Sequence, residues 1–163
     1  MRTYLILFLL FPFNINADEL DVFFEALNKD YLFNEIVYEN ELAIQKSNGE
    51  IIKKKNKFEV HIKKPFEESY YVSETEIDHI DHDLNQNQTI PMEAINSPLI
   101  KAFLSPTKAY LNKLDIEIID NLYLLSAETQ TIEFLTKGNQ IKKIIFLDNL
   151  GYRHEITLAL KHG

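Results

Sequence analysis

Gly49-Glu50-Ile51-Ile52-Lys53-Lys54-Lys55-Asn56-Lys57-Phe58-Glu59-Val60-His61-Ile62-Lys63-Lys64-Pro65 decides how this chain folds. Phe58, Val60 and Ile62 alternate with Glu59, His61 and Lys63, so one side of the segment is dry and the other wet. A period of two marks a half-buried β-strand and rules out an amphipathic helix here. Lys55-Asn56-Lys57 punctuates the run as a turn, and Ser47-Asn48-Gly49 reads as another turn ahead of it. The segment is expected to be a hairpin in an antiparallel sheet.

The same pattern runs outward on both sides. From Phe33 to Ile80 the chain reads as strands joined by tight turns, with strands at 69–72 and 76–80 split by Ser73-Glu74-Thr75. On the former, Tyr70 and Val72 share a face and Tyr71 takes the other. Asn85-Gln86-Asn87-Gln88 reads as a polar loop. Strands resume at 114–119, 122–126, 131–136, 141–148 and 153–160, with hairpin turns at Lys137-Gly138-Asn139 and Asp148-Asn149-Leu150-Gly151.

Helices are few. Leu20, Phe23, Phe24 and Leu27 fall at i, i+3, i+4 and i+7, behind the acidic pair Asp18-Glu19 that suits a helix N-terminus. Ser97-Pro98 and Ser105-Pro106 each place a capping residue before a first-turn proline. The first opens a short helix on which Leu99 and Phe103 share a face. The fold class is thus α+β. A long antiparallel meander with so little helix should curl into an open, incomplete β-barrel, with a short helical lid over an apolar cavity.

The first residues are an export signal by pattern: Met1-Arg2-Thr3, an apolar run from Tyr4 to Phe13, then Asn14-Ile15-Asn16-Ala17 before Asp18. That run is ten residues long, where a membrane span needs about 20. Residues 1–17 are expected to be a signal peptide cleaved after Ala17, and 18–163 a single domain. The chain has no cysteine, which excludes disulfides and an acylated cysteine behind the signal. Its net charge is −8, and losing the +1 of Arg2 makes the mature domain −9. An acidic domain has no electrostatic reason to bind nucleic acid.

From Gly49 onward the residues resemble the outer-membrane lipoprotein carrier family, LolA. The family pattern is a glycine, a strand, a basic residue, a turn, Phe-x-Trp and a later proline. Here Gly49, the lysines, Phe58-Glu59-Val60 and Pro65 stand in that order. The likeness continues through Tyr70-Tyr71-Val72-Ser73, residues 77–83, Leu84-Asn85-Gln86, residues 141–148 and residues 151–158. It departs where Val60 replaces the tryptophan and where Asn56, not proline, follows the basic turn residue.

The resemblance implies a periplasmic chaperone of a Gram-negative bacterium. Such a monomer receives acylated lipoproteins from an inner-membrane ABC transporter and passes them to an outer-membrane acceptor, with no cofactor and no enzyme activity. The missing cysteine fits the carrier and not the acceptor. It implies an acyl cavity lined by Leu20, Phe24 and Leu27, by Ile51, Phe58, Val60 and Ile62, by Tyr70 and Val72, and by Leu99, Phe103, Ile144 and Phe146. It further implies a lid latch at Lys55, with Lys54 as the alternative.

Other readings have weaker support in the residues. An acyl-sensing periplasmic domain of the same fold is one. A small secreted metal-binding or hydrolytic domain built on Asp78-His79-Ile80-Asp81-His82-Asp83 is another, since His79 and Asp81 share a strand face. That run coincides with a strand and hairpin structural in the family, so no metal is expected, though His79 and His82 among carboxylates suit pH sensitivity. The four glycines build no phosphate loop, and no serine sits in a nucleophile elbow.

Overall fold

A computed structural model describes residues 17–95, 97–111, 114–127 and 130–162. The signal-peptide reading of 1–17 lies outside them except at Ala17, which opens the first helix. Helix α1 (Ala17–Leu27) is followed by strands β1 (Tyr31–Glu39), β2 (Leu42–Lys53), β3 (Phe58–Lys64), β4 (Glu68–Val72), β5 (Glu76–Asp81) and β6 (Gln86–Pro91). A 3-10 turn at Met92–Ala94, α2 (Pro98–Leu104) and α3 (Lys108–Leu111) come next. Strands β7 (Asp115–Ile119), β8 (Leu122–Ala127), β9 (Gln130–Thr136), β10 (Ile141–Leu147) and β11 (Arg153–Leu160) complete the chain.

All eleven strands form one antiparallel sheet in the order β6-β5-β4-β3-β2-β1-β11-β10-β9-β8-β7. Strand β1 is central, paired to β2 and β11, while β6 and β7 remain as the two edges. The sheet is therefore an open barrel, and its inner face carries the core. Along β1 the inner positions Tyr31, Phe33 and Val37 are buried, whereas Leu32 and Asn34 are exposed. The helical segment between the edge strands supplies the lid.

Helix α1 forms because its stripe has a partner. Phe23 and Leu27 are fully buried, with Phe23 stacked on Tyr123 at 4.5 Å and meeting Phe134 edge-on at 5.1 Å. Tyr31 locks the helix to the sheet: its hydroxyl donates to the Ala26 carbonyl (2.8 Å) and accepts from the Ile141 N–H (3.1 Å). Burial raises the Tyr31 phenol above its ordinary range, so it stays a donor. Helix α2 starts as its sequence directs, with the Ser97 side chain accepting from the Ile100 N–H and Pro98 in the first turn.

Two sequence expectations are corrected. Ser47-Asn48-Gly49 is not a turn but the middle of β2, where the ladder to β3 shifts register between Asn48 and Gly49. The turn lies earlier, at Asn40 and Glu41, both with positive φ. Gly49 is required for a different reason: a Cβ there would lie 2.0 Å from the His61 carbonyl oxygen and 2.9 Å from the Phe33 ring. In addition, Gln86-Asn87-Gln88 belongs to the edge strand β6, paired to β5 from Asp81↔Gln86 to Glu76↔Pro91. An edge strand bathed on both faces needs no apolar alternation, so its polarity hid it.

Candidate functional site

Between the inner face of the sheet and α2 lies a cavity of about 190 Å³. Its floor is Phe33 from β1, Ile51 from β2, Phe58, Val60 and Ile62 from β3, Ile144 from β10 and Ile156 from β11. Leu99, Ile100 and Phe103 of α2 form the roof. The alternation of β3 places its three apolar residues there, and Phe58 packs against Phe103 with ring centroids 5.9 Å apart. Pockets that enclose a small molecule usually measure about 300–1,000 Å³. This one is smaller than that, with α2 packed over it.

Of the thirteen residues expected on the cavity, Ile51, Phe58, Val60, Ile62, Leu99, Phe103 and Ile144 line it. The other six stand elsewhere. Leu27 and Val72 are buried in the core, and Leu20, Phe24, Tyr70 and Phe146 are half-buried against it. Tyr70 stacks on His79 at 4.4 Å and donates to Glu68, and Phe146 stacks on His154 at 4.6 Å. Helix α1 covers the neighbouring part of the inner face, which is why its stripe is core. The sequence pattern did not point to Phe33, Glu35 and Ile156, because it does not fix the inward phase of β1 and β11, nor to Ile100, which lies beside Leu99 on α2 but off the Leu99–Phe103 face; Glu35 is a polar residue at an inward position.

Lys55 does not latch the lid. It is exposed in the turn between β2 and β3, as is Lys54. The lysine that reaches the helix is Lys53, whose ammonium donates to the Phe103 carbonyl and, at 3.4 Å, to the Leu104 carbonyl. Those carbonyls belong to the last turn of α2, where no helical N–H remains to satisfy them and the helix dipole favours a cation. Lys53 is the last residue of β2, pairs with Phe58 across the ladder, and has its own N–H bound by Asp30 at 2.7 Å. Its position on the strand, which Lys55 lacks, aims it across the inner face.

Burial pushes the Lys53 ammonium down from 10.5 to about 8. Lifting α2 would return Lys53 to water and to its ordinary value. Between those values an open protein holds a proton that a closed one does not, so closure is favoured as pH rises from about 8 towards 10.5 and is pH-independent below. An environment-sensitive fluorophore on Thr107→Cys, the only thiol in such a variant, should report that titration. In Lys53→Met the same probe should show a flat profile over this range.

The Asp78–Asp83 run is taken up by the neighbouring strands and turns. Asp78 accepts from the Thr89 hydroxyl (2.6 Å), Asp81 from the Leu84 N–H (2.8 Å) and Asp83 from the Glu67 N–H (3.0 Å). His82 meets the Ser69 hydroxyl on the outer face at 2.8 Å. Among the described residues no group of three or more His, Asp or Glu side chains is placed to hold a metal ion.

No protein-family model matches the sequence, and no curated protein matches it significantly. Solved structures do. A LolA superfamily protein from Nitrosomonas europaea is similar over 88% of this chain and 93% of its own, at 9% identity and a TM-score of 0.53. A protein from Thermus thermophilus covers 90% and 88% at 12% identity and 0.49, and LprF from Mycobacterium bovis 87% and 90% at 10% and 0.39. With its open antiparallel barrel, its apolar inner face and its short helical lid, the chain has a LolA-like fold.

Proposed function

We propose that this protein is a periplasmic carrier that shields the acyl chains of lipoproteins between an inner-membrane ABC transporter and an outer-membrane acceptor. The observation that carries the reading is the apolar cavity under α2, closed by one lysine on two helix carbonyls. Each methylene drawn from water into such a site contributes about 0.8 kcal/mol. A few chains thus bind firmly, yet a lid seated by Lys53 and by Phe103 on Phe58 is short enough to be lifted when a partner requires release. The carrier acts as a monomer, catalyses no reaction and needs no cofactor; the work of loading comes from the transporter.

The test is occupancy. Protein exported with its signal and released gently from the periplasm should carry acyl-chain ligands visible by native mass spectrometry. Val60→Trp fills the cavity from its floor and should abolish that mass while leaving a cooperative melt. Retention of the ligand in Val60→Trp, or wild-type protein that is always empty and accepts no acylated peptide, would overturn the proposal.

A further inference from the structure

One lining residue does not fit a purely apolar site. Glu35 of β1 faces the cavity beside Phe33 and Ile156, its side chain only 19% exposed. Strand alternation puts it there: it occupies the inward phase of β1 between Phe33 and Val37, opposite Ser47 of β2 and Ile156 of β11. A carboxylate at such a position costs stability unless it is well bonded. Ser47 donates to its Oε2 at 2.7 Å, and His154 Nδ1 lies 2.9 Å from its Oε1. Because a carboxylate only accepts, Nδ1 carries the hydrogen.

His154 is itself fixed. It stacks flat on Phe146, and its Nε2 lies 3.5 Å from Asp148 Oδ2. Burial would raise Asp148, but the N–H groups of Tyr152 and Leu150 and the His154 ring outweigh it and hold the carboxyl below its ordinary range. The Glu35–His154–Asp148 group sets two carboxyl groups around one imidazole, so its acidic groups outnumber its basic one. Each Glu35 oxygen has a partner and the lone pairs to accept a second hydrogen bond.

Resting on the carrier reading above, we infer that Glu35 selects the polar end of the cargo: the cavity takes amphiphiles whose head donates hydrogen bonds, and rejects anionic heads. The acyl chain lies towards Phe58 and Phe103, under the lid. Its amine, hydroxyl or amide N–H meets Glu35, four residues along β1 from Tyr31. Free fatty acids and phosphate heads would bring like charge against a fixed carboxylate in a poorly hydrated site.

Three twelve-carbon probes separate the outcomes: dodecylamine, monododecanoylglycerol and dodecanoate, titrated calorimetrically at pH 7 below their micelle concentrations. Dodecylamine and monododecanoylglycerol should bind on the order of tenfold or more tighter than dodecanoate. Glu35→Gln should weaken dodecylamine, strengthen dodecanoate and leave monododecanoylglycerol unchanged. Glu74→Gln, in the exposed turn between β4 and β5, should alter none of them. Dodecanoate binding as tightly as dodecylamine to the wild type, or an amine-to-acid ratio unchanged by Glu35→Gln, overturns the inference and leaves the carrier reading standing. Failure of all three probes to bind overturns both.

Discussion

Gly49→Val is expected to be recovered unfolded or aggregated. The new Cβ would stand 2.0 Å from the His61 carbonyl oxygen, a backbone atom that no rotamer change can move. Relief requires β2 and β3 to part at the register shift beside Gly49, or the Phe33 ring to leave its place on the cavity floor. Either breaks the centre of an eleven-stranded sheet, and the cost approaches the whole stability of a domain, about 5–15 kcal/mol. Gly138→Ala is the control. It has a positive φ of 57° but nothing within 4 Å of the added carbon, so only the left-handed backbone is penalised, by about 1–2 kcal/mol. Soluble yield and urea unfolding followed by circular dichroism measure both. A Gly49→Val protein as stable as Gly138→Ala would show that β2 and β3 do not approach this closely.

Phe23→Ala should cost about 3–5 kcal/mol, the usual range for emptying a fully buried aromatic site. The ring is the wedge between α1 and the β8–β9 part of the barrel, touching Tyr123 on one side and Phe134 on the other. Tyr123 also donates to the Glu19 carbonyl of α1 (3.0 Å), so losing the ring slackens a hydrogen bond as well as a packing contact. A shift in the urea midpoint at constant slope gives the number. Leu42→Ala, at a side chain 70% exposed, should move it by less than about 0.5 kcal/mol. An equally small shift for Phe23→Ala would mean that α1 is not seated as described.

How much of this was legible in the residues varies along the chain. The β3 alternation and the Leu20–Leu27 stripe were readable because each is a periodic contrast between apolar and polar side chains. The α2 start was readable because Ser97-Pro98 is a local backbone instruction. Strand β6 was not, because an edge strand exposed on both faces has no contrast to display. Ser47-Asn48-Gly49 misled for a related reason. Its small and polar residues suit a turn, but in β2 they serve a register shift, a hydrogen bond to Glu35 and a close backbone approach.

The candidate site divides along the same line. Seven lining residues were found by their apolar phase, yet that phase could not separate cavity from core, and Leu27 and Val72 went to the core. The sequence by itself determined the α+β class, the antiparallel hairpins and the helical insert, since these depend on contacts between near neighbours along the chain. The tertiary structure alone decided that Lys53 and not Lys55 meets α2, and that Glu35 is held by Ser47 and His154 inside an apolar cavity. Those contacts join residues 50, 12 and 119 positions apart. They exist only because sheet register and curvature carry distant strands and a helix to one place, and no local pattern in the sequence records that distance.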